Sequence, residues 1–311
     1  MSYLNNKKVL VTGASGFLGK HLMGELHSRG IEARALSGKH VCDLRNSADT
    51  ERYFQSFRPD VVFHLAAVVG GIGANQLRPA DFFIDNALMG ASVLSACRNS
   101  SVQKLVIIGT TCSYPKFCEI PFTEESLWSG YPEETNAPYG IAKRALMIGA
   151  EALLAQYGVK VANLIPTNLY GPGDNFNVKS SHVIPALIRK MHGAKDWVEL
   201  WGSGEPTRDF LYVKDAAKWI VDAAEVIENG KPINFGSGVE ISIKELAILI
   251  AQVTGFQGQI TWNTSKPDGQ PRRALDTSKA EKDLGSHSRT PFIVGLAETY
   301  EYYKSTLGNA K

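Results

Sequence analysis

Tyr139 and Lys143 stand four residues apart in Pro138-Tyr-Gly-Ile-Ala-Lys143. On a helix that spacing places both side chains on one face. An isolated tyrosine, with a pKa of about 10, moves protons poorly at neutral pH. An ammonium group beside it is expected to lower that value by favouring the phenolate. Upstream, Thr110 and Thr111 follow the apolar run KLVIIG (104–109). A hydroxyl there can bond both Tyr139 and a substrate carbonyl. Taken together these residues suit proton transfer at a carbonyl. Any solvated helix can carry Y-x-x-x-K, so the reading depends on elements that bring a hydride donor to the same pocket.

Those elements are legible. Lys8–Thr12, Ile31–Leu36, Asp60–Ala66, Lys104–Gly109 and Val159–Pro166 read as strands, with helical stretches at Phe17–Arg29, Ala80–Arg98 and from Pro138 onward. The alternation predicts a parallel sheet covered by helices on both faces, with right-handed crossovers. After Pro166 the texture changes to turn-rich loops, GPGDNFNVK (171–179) and GSGEPT (202–207). Helices are predicted at about His182–His192, Val213–Ile227 and Ser242–Gly255, with short strands at Ile233–Phe235 and Gln259–Trp262. The predicted fold is α/β. Residues 1–166 form a Rossmann-type, doubly wound parallel sheet, and 167–311 form mainly a smaller C-terminal α/β substrate domain. Some later segments return to the sheet.

Gly13-Ala14-Ser15-Gly16-Phe17-Leu18-Gly19 follows the first strand and opens the first helix. A tight turn needs glycine, a pyrophosphate needs close backbone approach, and a helix N-terminus offers free N–H groups. The spacing is G-x-x-G-x-x-G rather than the usual G-x-G-x-x-G, and its place in a βαβ unit points to a dinucleotide. The second strand ends in Ala35-Leu36-Ser37-Gly38-Lys39-His40, without a carboxylate for a ribose 2′-OH. Lys39, with Arg34 second, suits a 2′-phosphate, so NADP(H) is expected; Lys39 also fits an ordinary solvated loop. Asp43 is placed to touch the adenine edge. Lys143 would then hold the nicotinamide ribose as well as serve Tyr139.

Bulk properties agree with a small-molecule enzyme. Of 311 residues, 33 are Lys or Arg and 31 Asp or Glu, with no basic run to suggest nucleic acid. Cys42, Cys97, Cys112 and Cys118 have neither zinc-site nor disulfide-framework spacing, so no metal is expected. The N-terminus is no signal peptide, and no apolar run approaches the ~18 residues of a membrane span. A reduced, cytoplasmic compartment is expected.

Seven stretches carry a closer resemblance: AAVVGGIGAN (66–75), GTTCSYPK (109–116), EETNAPYGIAK (133–143), PTNLYGP (166–172), SHVIPALIRK (181–190), WGSGEPTRDF (201–210) and SKPDGQPRR (265–273). In order along residues 8 to about 300, they resemble the extended short-chain dehydrogenase/reductases, and among these the GDP-L-fucose synthases. The resemblance implies a GDP-linked 4-keto-6-deoxy-mannose as substrate. The ketone acidifies hydrogens on both neighbouring carbons, C3 and C5 are inverted, and NADPH then reduces C4. It implies Cys112 and His182 as the acid–base pair for inversion. Their chemistry agrees, since thiol and imidazole pKa values of about 8.5 and 6.5 bracket neutrality. A pleated strand end would point Thr110 and Cys112 to one side. Ala66, Pro166, Thr167, Leu169 and His182 would frame the nicotinamide, and Asn168 would touch both cofactor and substrate. Lys190, Trp201, Arg208 and Asp268 match positions that bind substrate, the last three at the GDP moiety. Arg208 suits a diphosphate through its planar fork; Trp201 also suits core packing, and Asp268 also suits capping a turn.

The departures are Thr110 for the family's serine, Lys190 for an arginine, and no basic side chain at Ala14 or Ser15. Lys190 gives up bidentate geometry and leaves open a related GDP-4-keto sugar, such as a 3,6-dideoxyhexose or heptose. A dinucleotide-sensing protein without turnover is disfavoured by the intact Tyr139, Lys143, Cys112 and His182. The family is a homodimer built on two helices of the nucleotide domain, for which 80–98 and the Tyr139 helix are the candidates.

Overall fold

A computed structural model of the chain describes residues 2–178, 180–266, 268–285 and 289–308. β1 (Val9–Thr12) is buried at every position and turns into α1 (Phe17–Ser28). Gly30, at φ +72°, turns the chain out of that helix. β2 (Ala33–Leu36) begins two residues later than expected. α2 (Ser47–Phe57), absent from the sequence reading, is capped by the Asn46 side chain accepting from Asp49 N–H. It buries only Thr50 and Phe54, so its apolar stripe is too thin to read. β3 (Val61–His64), α3 (Ile72–Leu77), α4 (Pro79–Arg98), β4 (Lys104–Ile108), α5 (Ala137–Tyr157) and β5 (Lys160–Pro166) follow. Proline sits in the first turn of α4 and of α5, where a missing N–H costs nothing.

The second half runs β6 (Asn168–Tyr170), α6 (Val183–Gly193), β7 (Trp197–Trp201), β8 (Thr207–Tyr212), α7 (Val213–Val226), β9 (Asn229–Phe235), β10 (Glu240–Ser242), α8 (Ile243–Thr254), β11 (Gln259–Asn263), β12 (Arg272–Arg273), α9 (Ser278–Leu284) and α10 (Phe292–Gly308). β6 to β8, β10, β12, α9 and α10 were not foreseen. β9 lengthens the predicted Ile233–Phe235 strand to seven residues and joins the main sheet.

That sheet has the order β2-β1-β3-β4-β5-β9, parallel throughout. Alternate residues of β1 feed opposite faces. Val9 and Val11 pack with α1 and α7, whereas Leu10 packs with residues of α2, α4 and α5. The strand order reverses between β1 and β3, and in sheets of this kind ligands bind in the crevice outside the carboxyl ends of the strands at that point. α7 lies along α1, so residues 213–235 return to the nucleotide half. The remaining elements build a third core from α6, α8, α10 and β7. β8 is their hub, pairing parallel with β6 and β12 and antiparallel with β10. Among the described residues, no helix is long and apolar enough to cross a membrane.

Candidate active site

At the crevice, Gly13 takes φ +69°, and a Cβ on it would lie 2.7 Å from the Ala66 nitrogen beyond β3. A Cβ on Gly19 would come within 2.2 Å of the Gly13 carbonyl. The first glycine therefore brings the turn onto the neighbouring strand's exit, and the last seats α1 against the turn. Ala14 is buried, Phe17 and Leu18 are half-buried, and Ser15 and Gly16 face solvent. Gly16 caps α1 without a side-chain bond, leaving the first-turn N–H groups for an anion. Below the turn, Thr12 Oγ1 and His64 Nδ1 lie 2.9 Å apart. Burial, then the Lys143 charge, pushes the His64 pKa down to about 3, so the ring is neutral.

Lys39 is exposed in the loop after β2. Arg34, its proposed alternate, stacks over the Phe57 ring at 5.3 Å. Asp43 is engaged at 2.8 Å by Arg45, whose hydrogen bonds hold the carboxyl at about 2. These residues fit a dinucleotide: a glycine turn without room for a Cβ, an open helix start, and no carboxylate at the end of β2. On the other side, Pro166 ends β5, and Thr167 Oγ1 and Asn168 Nδ2 both donate to the Asp209 carbonyl, at 3.0 and 2.9 Å. Leu169 is half-buried beside them.

The residues expected to move protons gather where β4 ends. Residues 111–113 form one 3₁₀ turn, and the Thr110 hydroxyl accepts from Cys112 N–H at 3.2 Å. Tyr139 is buried on the first turn of α5, with Thr110 and Cys112 near enough to act on its ionisation. Gly140 makes the approach possible, because a Cβ there would meet the Cys112 carbonyl at 2.3 Å. Phe82 packs edge-on against the Tyr139 ring at 6.3 Å. Lys143 is also buried and donates to the Ile108 carbonyl at 2.9 Å.

One expectation is corrected here. Burial raises the Tyr139 pKa, the Cys112 charge raises it further, and only the Thr110 hydrogen bond opposes them. Lys143 does not lower it. Its own pKa falls to about 8 by desolvation, and its ammonium donates to a backbone carbonyl. Low dielectric acts on both groups before they act on each other. Tyr139 is therefore protonated, the form that gives a proton.

His182 caps α6 and is exposed on the cleft, yet crowded enough for desolvation to lower its pKa. A Cβ on Gly71 would sit 3.4 Å from the Ser181 carbonyl, and one on Gly70 3.2 Å from the Phe82 ring. The loop after β3 thus bridges from the Tyr139 side to the His182 side. Farther out, the Trp201 ring is 63% exposed, which excludes the core-packing alternative. Lys190 and Lys266 lie 5.9 and 5.6 Å from its centroid. Lys190 Nζ donates to the Glu199 carbonyl at 3.0 Å. Asp268 binds Ser203 through N–H at 2.6 Å and hydroxyl at 2.9 Å. It closes the 202–204 loop, a wider turn than the local one considered in KPDGQ.

Arg208 has its pKa pushed down to about 10 by desolvation and then by Arg273. Arg273, which the sequence reading did not single out, pairs in register with Arg208 across β8 and β12. Among the described residues no carboxylate pairs with either, whereas neighbouring Arg272 is clamped to Glu240 at 2.5 Å. Two cations side by side without an acid suit an anion. The run PRR held the signal, but only strand register says which arginine faces Arg208.

The model of the NAD dependent epimerase/dehydratase family matches residues 9–236. A GDP-L-fucose synthase of Sinorhizobium fredii is 40% identical over 99% of each chain. Among solved structures, a GDP-L-fucose synthetase from Naegleria fowleri bound to NADP superposes with a TM-score of 0.92 at 31% identity, covering 99% of this chain and 96% of that one. A GDP-6-OMe-4-keto-L-xylo-heptose reductase from C. jejuni gives 0.92 at 29%, covering 98% and 100%. With a glycine turn at a sheet switch point and a tyrosine, threonine, cysteine and lysine gathered beside it, this chain belongs to the NAD dependent epimerase/dehydratase family, alongside the GDP-L-fucose synthases.

Proposed function

We propose that this protein is a GDP-L-fucose synthase, which inverts C3 and C5 of GDP-4-keto-6-deoxy-mannose and then reduces the C4 ketone with NADPH. The meeting of Thr110, Cys112 and protonated Tyr139 beside the cofactor crevice supports this reading most directly. NADPH, when bound, supplies hydride for C4. The turn from Gly13 to Gly19 and the start of α1 receive its pyrophosphate, and Lys39 its 2′-phosphate. The Asp43–Arg45 pair borders the adenosine. Ala66, Pro166, Thr167 and Leu169 frame the nicotinamide, with His182 at its edge.

Thr110 and Tyr139 hold the O4 oxygen, which stabilises the enolate formed when a neighbouring C–H is removed. Cys112 and His182 act as the acid–base pair, one on each face of the ring, so a proton lost from one face of C3 or C5 returns on the other. Tyr139 then gives its proton to O4 during reduction, while Lys143 holds the ribose that positions the nicotinamide. Asn168 contacts the substrate from β6. Trp201 offers an open platform to the guanine, and Arg208 with Arg273 takes the diphosphate. Asp268 completes the GDP site, and Lys190 is a further substrate-binding residue.

One observation favours a second reading. Lys190 offers a single point charge already committed to a carbonyl, so the sugar could be another GDP-4-keto hexose or heptose. NMR of the product formed from GDP-4-keto-6-deoxy-mannose and NADPH in D₂O decides. GDP-L-fucose carrying deuterium at C3 and C5 is expected, and no NADPH oxidation would overturn the proposal. We place the protein in the cytoplasm, in keeping with four free cysteines. The division at residue 166 is functional: residues 1–166 with β9 and α7 hold the cofactor, and the rest holds the GDP-sugar.

A further inference from the structure

The turn carrying Cys112 is gripped by a cation on each side. Arg273 Nη2 donates to the Thr111 carbonyl at 3.2 Å, and Arg144 Nε donates to the Ser113 carbonyl at 2.5 Å. One carbonyl precedes the cysteine and the other follows it. The arginines come from separate elements. Arg144 follows Lys143 on α5 and also donates to the Gly130 carbonyl at 2.8 Å. Arg273 lies on β12 beside Arg208. Each keeps one buried nitrogen without a hydrogen-bond partner, Arg144 Nη2 and Arg273 Nε. Burial also disfavours the Arg144 charge. Among the described residues no carboxylate pairs with either guanidinium. Half-buried, partly unpaired cations are poor stabilisers, so their value lies in what they hold.

We propose that Arg144 and Arg273 are positioning residues for Cys112, and that the Arg273 grip tightens when a diphosphate binds beside it. The proposal rests on the reading in which Arg208 takes the diphosphate of a GDP-sugar. Arg208 and Arg273 repel one another when the site holds no anion. A diphosphate relieves that repulsion and fixes the Arg273 side chain. Through the Thr111 carbonyl it also fixes the turn. Binding at the distant end of the substrate is thereby used to place the thiol against the sugar, where a shift of 1 Å costs rates of about a hundredfold.

Two measurements test this. The first needs no sugar: iodoacetamide alkylation of Cys112 at neutral pH, followed by peptide mass spectrometry, with and without GDP. GDP is expected to slow alkylation several-fold in the wild type and to have no effect in Arg273→Met at saturating GDP. Simple shielding by the nucleotide would persist in that variant and would overturn the coupling. The second is deuterium uptake at C3 and C5 from D₂O. Arg144→Met is expected to cut the exchange rate at saturating substrate by about tenfold, with KM changed less than threefold and partial rescue by Arg144→Lys. Normal exchange in folded Arg144→Met would sink its role. If Arg144→Met does not fold, Arg144→Lys decides: an ammonium lacks the planar fork with which the guanidinium reaches the Ser113 and Gly130 carbonyls from separate nitrogens, so wild-type exchange in it would sink the role too. Wild-type protein that exchanges no deuterium would defeat the functional reading instead, while the alkylation result still judges the arginines.

Discussion

Tyr139 keeps its proton, because burial outweighs the one interaction favouring the phenolate. Replacing it with phenylalanine is expected to slow C4 reduction by about 10²–10⁴-fold, read as NADPH oxidation, while C3 and C5 still take up deuterium. Cys112→Ser should do the reverse, and normal uptake in that variant would remove Cys112 from the mechanism. Lys143 has a folded pKa of about 8 against an ordinary 10.5 and is charged only below about 8. The KM for NADPH is therefore expected to rise as pH passes upward through that value; a flat profile to pH 10 would show the charge is unnecessary. Lys104 poses the same problem without a function. Its Nζ has no hydrogen-bond partner, rests 4.9 Å from the Tyr3 centroid, and has its pKa lowered to about 8. Between about 8 and 10.5 the unfolded chain binds the extra proton, so stability rises with pH across that window. Lys104→Met should stabilise the protein at neutral pH by about 1–2 kcal/mol after allowance for screening, measured by urea unfolding.

Elements explain why the functional border proposed at residue 166 is not a folding one. β9 closes the outer edge of β5, and α7 covers α1 and the face containing Val9, Val11 and Phe63. A fragment of residues 1–166 would expose that face and a bare strand edge. It is expected to aggregate or remain unfolded by circular dichroism, whereas a cooperative melt would show that β9 and α7 are dispensable. The strands of the first half were readable because their apolar runs are short, buried and bounded by turns. α2, with two buried residues, and the two-residue β12 left no pattern to find. β6 to β8 were missed for a related reason: they pair with distant segments, and their residues sit among glycine-rich turns.

For the whole molecule, an apolar strip marks the outer surface of α4 and α5. Phe83, Ile84 and Leu88 on α4 and Ile148 on α5 are exposed, and a shallow cavity of about 430 Å³ lies between Phe83, Pro138 and Ile141. α4 and α5 pack along one another, so two copies would form a four-helix bundle. A homodimer is expected by light scattering, and Ile84→Glu with Ile148→Glu should yield a monomer. A native monomer in the wild type would leave the strip without this role. The amino-acid sequence by itself determined the cofactor turn, the Tyr139–Lys143 pair and the family resemblance, because each is a local pattern that neighbours along the chain can specify. Only the tertiary structure decided that Tyr139 is protonated, that Arg273 joins Arg208, and that Arg144 and Arg273 bracket Cys112. Burial and strand register depend on residues distant along the chain, as far as 162 positions for Arg273 and Thr111, and no spacing along the chain encodes them.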